Sequence, residues 1–137
     1  MRELDELFTA LGRSPFRRKF RLAGRDRDNL ARQGLEQVLA HGRQFITERL
    51  ATARPVADGR QTPLAGHPIF VAQHGTATCC RNCLRRWHGI ARFRPLTPAE
   101  IDYVLGVLRH WLELDSERSS TPRVDMPRQR RLFSADE

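Results

Sequence analysis

The sequence predicts a mainly α-helical fold, and three observations carry that reading. Apolar residues recur at helical spacing in several windows. A helix-starting Thr-Pro-x-Glu pattern stands at 97–100. A single short apolar run, IFVAQ at 69–73, reads as extended. With 137 residues the chain is long enough for one modest core. The expected architecture is a small single domain of about four helices, with at most one short strand or hairpin before a Cys/His segment.

Residues 2–11 carry Leu4, Leu7, Phe8 and Leu11 on one stripe, and Gly12 and Pro15 oppose its continuation. The basic stretch FRRKFRL follows, with Phe16, Phe20 and Leu22 interleaved. Asp26 or Asp28 can cap a short helix through Gln33, and Gly34 can close it. A longer helix over 35–53 buries Leu35, Val38, Leu39, Phe45, Ile46 and Leu50, and Pro55 ends it. A loop rich in Pro and Gly leads to IFVAQ. A helix then starts with Thr76 or Thr78 as its cap, reaches Trp87 and stops at Gly89. The last helix is the best marked. Thr97 is its N-cap, Pro98 takes the first helical position and Glu100 completes a capping box. Ile101, Val104, Leu105, Leu108 and Leu112 form its apolar stripe, with Trp111 at the edge. The domain is expected to fill residues 1–116. Residues 117–137 are polar and read as a disordered tail.

Composition narrows the function classes. No apolar run approaches the roughly 18 residues that span a bilayer. The N-terminal MRELDELFTALG lacks the basic-then-apolar pattern of a secretory signal. A cytoplasmic protein without a membrane partner is therefore expected. In a reducing compartment its cysteines serve as ligands, reactive thiols or core residues rather than as a disulfide frame. The net charge is +8, and Lys19 is the only lysine. Guanidinium groups match phosphate well, so nucleic acid is a candidate partner. A GC-rich genome that encodes arginine wherever a cation will do explains the same composition without any such partner. The candidate contacts are Arg17, Arg18, Lys19, Arg85, Arg86, Arg92 and Arg94, which stand among aromatic residues in two segments. Phe16 and Phe20, four apart, can equally pack inward and leave a solvated basic face.

Several stretches together, SPFRRKFRL, GLEQVLAHGRQFI, ADGRQTPLAGHPIFVAQHGTATCCRNCLRRWHGI and RPLTPAEIDYV, resemble the bacterial DUF4186 family, a domain of unknown function. The resemblance covers nearly all of the chain before the tail. It implies a small bacterial intracellular protein whose site is the central motif. Gly75 stands where the resemblance leads one to expect alanine, and ARFRP replaces an expected lysine-glycine pair.

All three cysteines fall between Gln73 and Ile90, together with His74 and His88. Three readings suit this window. In the first, His74, Cys80, Cys83 and His88 hold zinc, with His67 and Cys79 as alternates. The Cys80-x-x-Cys83 spacing lets one turn at a helix start aim two sulfurs at one ion. The helix N-terminus and Arg81 would favour the thiolate form. An iron–sulfur cluster fits less well, because three cysteines need a histidine as fourth ligand. In the second reading, Cys80 or Cys83 is a catalytic or redox thiol served by His88. In the third, Cys79, Cys83 and Trp87 simply line one buried helical face. The tail adds a separate clue. QRRLF resembles the short motif by which bacterial repair and replication proteins bind the DNA sliding clamp. Gln129, Leu132 and Phe133 match its pocket-entering positions, whereas Arg130 and Arg131 depart from it.

Overall fold

The computed structural model describes residues 1–120. Among them the chain forms seven helices and no strand. They are α1 (Leu4–Gly12), α2 (Pro15–Arg18), α3 (Gly24–Gln33), α4 (Leu35–Arg49), α5 (Pro68–Thr76), α6 (Arg81–His88) and α7 (Pro98–Ser120). The helical class matches expectation; the count of about four does not. One extra helix is the single turn α2. Ser14 caps it by accepting the Arg17 N–H at 3.2 Å, and Pro15 takes the first helical position.

The other correction concerns IFVAQ, which lies inside α5 rather than in a strand or hairpin. Pro68, Ile69, Phe70, Val71, Ala72, Gln73, Gly75 and Thr76 are all buried, so this helix has no polar face to give it a period. A helix wrapped on all sides cannot be told from a buried strand by its pattern alone. Its start is set by His67, whose Nδ1 accepts the Ile69 N–H at 3.1 Å, and by Pro68.

α5 is the central element and packs on α1, α2, α3, α4 and α7. The main core joins Val38, Leu39 and Ile46 of α4, Ile69, Val71 and Ala72 of α5, Leu84 of α6 and Val104, Leu105, Leu108 and Leu112 of α7. A smaller cluster joins Leu7 and Leu11 of α1 to Ala77 and Val107. The α7 box forms as expected. Thr97 Oγ1 accepts the Glu100 N–H at 3.1 Å, and Glu100 Oε1 accepts the Thr97 N–H at 2.9 Å. α3 starts at Gly24 without a side-chain cap. Asp26 instead accepts the Gly66 N–H at 3.2 Å. No helix of the described residues is long and apolar enough to cross a membrane. Gln129, Leu132 and Phe133 lie outside the described residues.

Candidate metal centre

The cysteines sit where α5 ends and α6 begins. Ala77 closes α5 in the left-handed region, at φ 60° and ψ 38°. For a residue with a Cβ that conformation costs about 1 kcal/mol. The turn is then pinned at consecutive carbonyls. Gln73 Nε2 donates to Thr78 O at 2.9 Å, and Thr62 Oγ1 donates to Cys79 O at 2.8 Å. Cys80, not a threonine, is the N-cap of α6, and its Sγ accepts the Cys83 N–H at 3.4 Å. α6 therefore begins at Arg81, later than the sequence pattern led us to expect.

This geometry collects Cys79, Cys80 and Cys83, whose sulfurs all lie within 4.8 Å of one another. The Cys79–Cys83 separation is 3.7 Å. A tetrahedral zinc with Zn–S bonds of about 2.3 Å sets its sulfurs about 3.8 Å apart, so this edge already has the length an ion requires. Cys79 and Cys80 are buried, and Cys83 is half-buried.

All three thiols are pushed above their ordinary pKa. For Cys79 the first cause is its hydrogen bond with Cys80, and for Cys83 the one with Cys79; burial adds to both. For Cys80 the bond with Cys79 pulls downward first, and Cys83 and burial more than reverse it. Crowded, buried thiols resist ionisation because each thiolate would form beside its neighbours.

Against them lies Arg17. Its Nη2 reaches Cys83 Sγ at 3.2 Å, and its Nη1 reaches Cys79 Sγ at 3.8 Å and His74 O at 2.8 Å. Arg17 is only 9% exposed and has no carboxylate partner among the described residues. No local pattern marks this arginine, rather than Arg18, as turning inward, since α2 is too short to show a period.

The residue expected beside the thiolates, Arg81, is used elsewhere. Its guanidinium is buried among the carbonyls of Leu50, Thr52, Ala91 and Arg94, at 2.7–3.4 Å. Its backbone N–H donates to Asp58 Oδ1 at 3.0 Å. Asp58 thus ties the loop after α4 to the start of α6, and its spacing from the cysteines gave no hint of that role.

The histidines stand apart from the sulfur group. His88 donates from Nε2 to Thr76 O at 2.9 Å, and its Nδ1 meets the Tyr103 hydroxyl at 2.7 Å. His74 donates from Nε2 to Thr62 O at 3.0 Å, and its ring stacks on Phe20. His67 caps the far end of α5, about 13 Å of helix from the cysteines, and its Nε2 bonds His41 Nδ1 at 3.1 Å. Burial is the first cause that lowers the pKa of each of these three.

The basic candidates divide. Arg92 pairs with Asp58 at 3.3 Å, and Arg94 grips both oxygens of Glu100 at 2.8 and 2.6 Å. Arg18, Lys19, Arg85 and Arg86 are exposed. Arg17 lies over the ring of Trp87 at 5.9 Å, which brings α2 alongside α6.

No solved structure matches the chain. The family model for DUF4186, described as a domain of unknown function, matches residues 5–113, most of the chain and the whole of the cysteine cluster, so the chain belongs to the DUF4186 family.

Proposed function

We propose that Cys79, Cys80 and Cys83 hold one zinc ion as thiolates, and that this bacterial, cytoplasmic protein uses the centre beside nucleic acid. The observation that carries the metal reading is Arg17. A buried guanidinium is costly unless a negative charge faces it. Beside the neutral His74 carbonyl, the groups that face it are sulfurs, and crowding keeps those sulfurs protonated in the absence of an ion. A divalent ion resolves the conflict. It takes three thiolates, leaves one net negative charge and gives Arg17 its counter-charge. Sulfurs this close together suit one ion better than an iron–sulfur cluster, whose cysteines bind different irons.

Of the histidines named from the sequence as ligands, His88 has both ring nitrogens engaged, by Thr76 O and the Tyr103 hydroxyl, and neither it nor His74 is in the group of ligand atoms that lie within 4.8 Å of one another. The fourth position then falls to a ligand from outside, reached past half-buried Cys83. The same commitments leave His88 badly placed as a base for a catalytic thiol. Nucleic acid is favoured by the exposed Arg18, Lys19, Arg85 and Arg86 around Arg17 and Trp87, together with the net charge of +8. Docking to the sliding clamp through Gln129, Leu132 and Phe133 is a separable part of this proposal. It predicts that deleting 129–133 abolishes clamp binding.

Elemental analysis of untagged protein tests the metal. We expect stoichiometric zinc, thiols that resist titration in the native state, and loss of both in Cys83→Ser. Metal-free protein with three freely titrating thiols would discard the centre. Rapid reaction of Cys83 in such protein would point to thiol chemistry instead.

A further inference from the structure

Arg17 also borders a second feature. A cleft of about 210 Å³ opens between α1, α2, α5 and α7. Arg17, Arg18, Arg21 and Arg118 line it together with Phe20 and Trp111, and no acidic residue does. None of the four arginines pairs with a carboxylate among the described residues. Arg21 Nη1 turns to the carbonyls of Arg18 and Phe20, each at 3.2 Å.

Trp111 supplies the second observation. The residue is only 6% exposed, yet its indole Nε1 is not among the polar atoms of the described residues that are sealed from solvent without a partner. The indole edge lies over Gly75, where an added Cβ would come within 2.6 Å of Nε1. The absent side chain at 75 is what makes room for that edge in the cleft wall. The N–H is therefore open to the cleft, where an acceptor on a ligand can take the place of water.

We infer that this cleft binds one nucleotide unit, its phosphate on Arg18, Arg21 and Arg118 and its base against Phe20 and the Trp111 N–H. The inference rests on the reading that the protein works beside nucleic acid, and it names the unit recognised. An inorganic anion would satisfy the arginines but leave the aromatic wall uncovered. A purely apolar ligand would leave Arg18, Arg21 and Arg118 without a counter-charge. A flat ring that carries acceptors and a phosphate meets both demands. The volume falls below the roughly 300 Å³ at which drug-sized sites begin, which suits one nucleotide rather than a run of them. The unit can come from a free mononucleotide or from the end of a strand.

Calorimetric titration of the full chain with adenosine monophosphate tests this, with adenosine, inorganic phosphate and single-stranded oligonucleotides, with and without a 5′-phosphate, alongside. We expect the mononucleotide to bind more tightly than either adenosine or phosphate. Arg21→Glu, at an exposed position, should weaken it about tenfold or more while helicity and metal content stay unchanged. Trp111→Phe should weaken it as well, with helicity retained. A 5′-phosphate that tightens oligonucleotide binding would identify the strand end as the source. Equal binding by wild type and Arg21→Glu, or phosphate binding as tightly as the mononucleotide, overturns the inference. Oligonucleotide binding without mononucleotide binding overturns it too, yet leaves the nucleic-acid reading standing. Mononucleotide binding without oligonucleotide binding does the reverse, and no binding at all removes both.

Discussion

His88 has no exposed surface, and both its ring nitrogens are committed. The Thr76 carbonyl can only accept, so the ring proton is on Nε2. Nδ1 then accepts from the Tyr103 hydroxyl, whose oxygen also receives the Arg2 N–H at 3.2 Å. Burial first, opposed by the bond to Thr76, pushes this pKa from 6.5 down to about 4. Between those values the unfolded chain binds a proton that the folded chain refuses. The stability this group contributes is therefore whole above the unfolded value of 6.5 and drains away as the pH falls toward 4. At about 1.4 kcal/mol per pH unit, lowering the pH from about 7.5 to about 5 should remove about 2 kcal/mol through His88. His67 and His74 act in the same direction. A His88→Gln variant isolates the effect, because glutamine can keep both hydrogen bonds without titrating. Urea denaturation of the two proteins at both pH values should give a shallower loss in the variant. Equal losses would mean that His88 is not the group that titrates.

Two helix starts divide the elements by how openly their sequences announce them. The box that begins α7 is local: Thr97, Pro98 and Glu100 signal it within four positions, and Arg94 only reinforces it from outside by holding Glu100 down at a pKa of about 2. The start of α6 depends on groups far away in the chain. Arg81 binds carbonyls at 50, 52, 91 and 94, and its N–H is received by Asp58. Nothing near Arg81 shows that it faces inward among these loops rather than toward the thiols. A planar fork can serve several carbonyls at once, whereas a single ammonium cannot. Arg81→Lys should therefore cost about 2–4 kcal/mol, since it strands buried acceptors. The urea midpoint would drop accordingly, and an unmoved midpoint would refute the tie. The cysteine cluster divides in the same way. C-x-x-C spacing made Cys80 and Cys83 legible. Cys79 enters because the turn is pinned by Thr62 and Gln73, and Arg17 enters from a one-turn helix 62 residues away in sequence from Cys79. His74 and His88 shared the window by sequence but are turned by their helices onto backbone carbonyls.

Across the whole molecule these ties leave α6 in an unusual position. α4, α5 and α7 pack extensively on one another and carry most of the main core, and α6 lies outside these principal helix pairs. It joins the main core through Leu84 and the smaller cluster through Cys83 and Trp87, and polar ties complete its attachment: Arg81 at its start, His88 at its end and the N-cap Cys80. If an ion links Cys79, Cys80 and Cys83, its removal loosens one helix rather than the whole fold. Elements with little apolar burial open below the global unfolding free energy, and amide exchange reads such openings one by one. Treatment with a strong zinc chelator should accelerate exchange at Leu84 and Gly89, whose N–H groups close the α6 turns onto Cys80 O and Arg85 O. The expected acceleration is about tenfold or more, the signature of losing at least about 1.4 kcal/mol of local stability. Val38 in α4 and Leu108 in α7 should keep their protection. A bound ligand adds stability by mass action, so zinc returned in excess should restore the original pattern. Identical exchange before and after chelation would separate the cysteine cluster from any metal. Uniform acceleration across α4 and α7 would show instead that the ion supports the entire core, and that α6 is not the separately stabilised element its contacts describe.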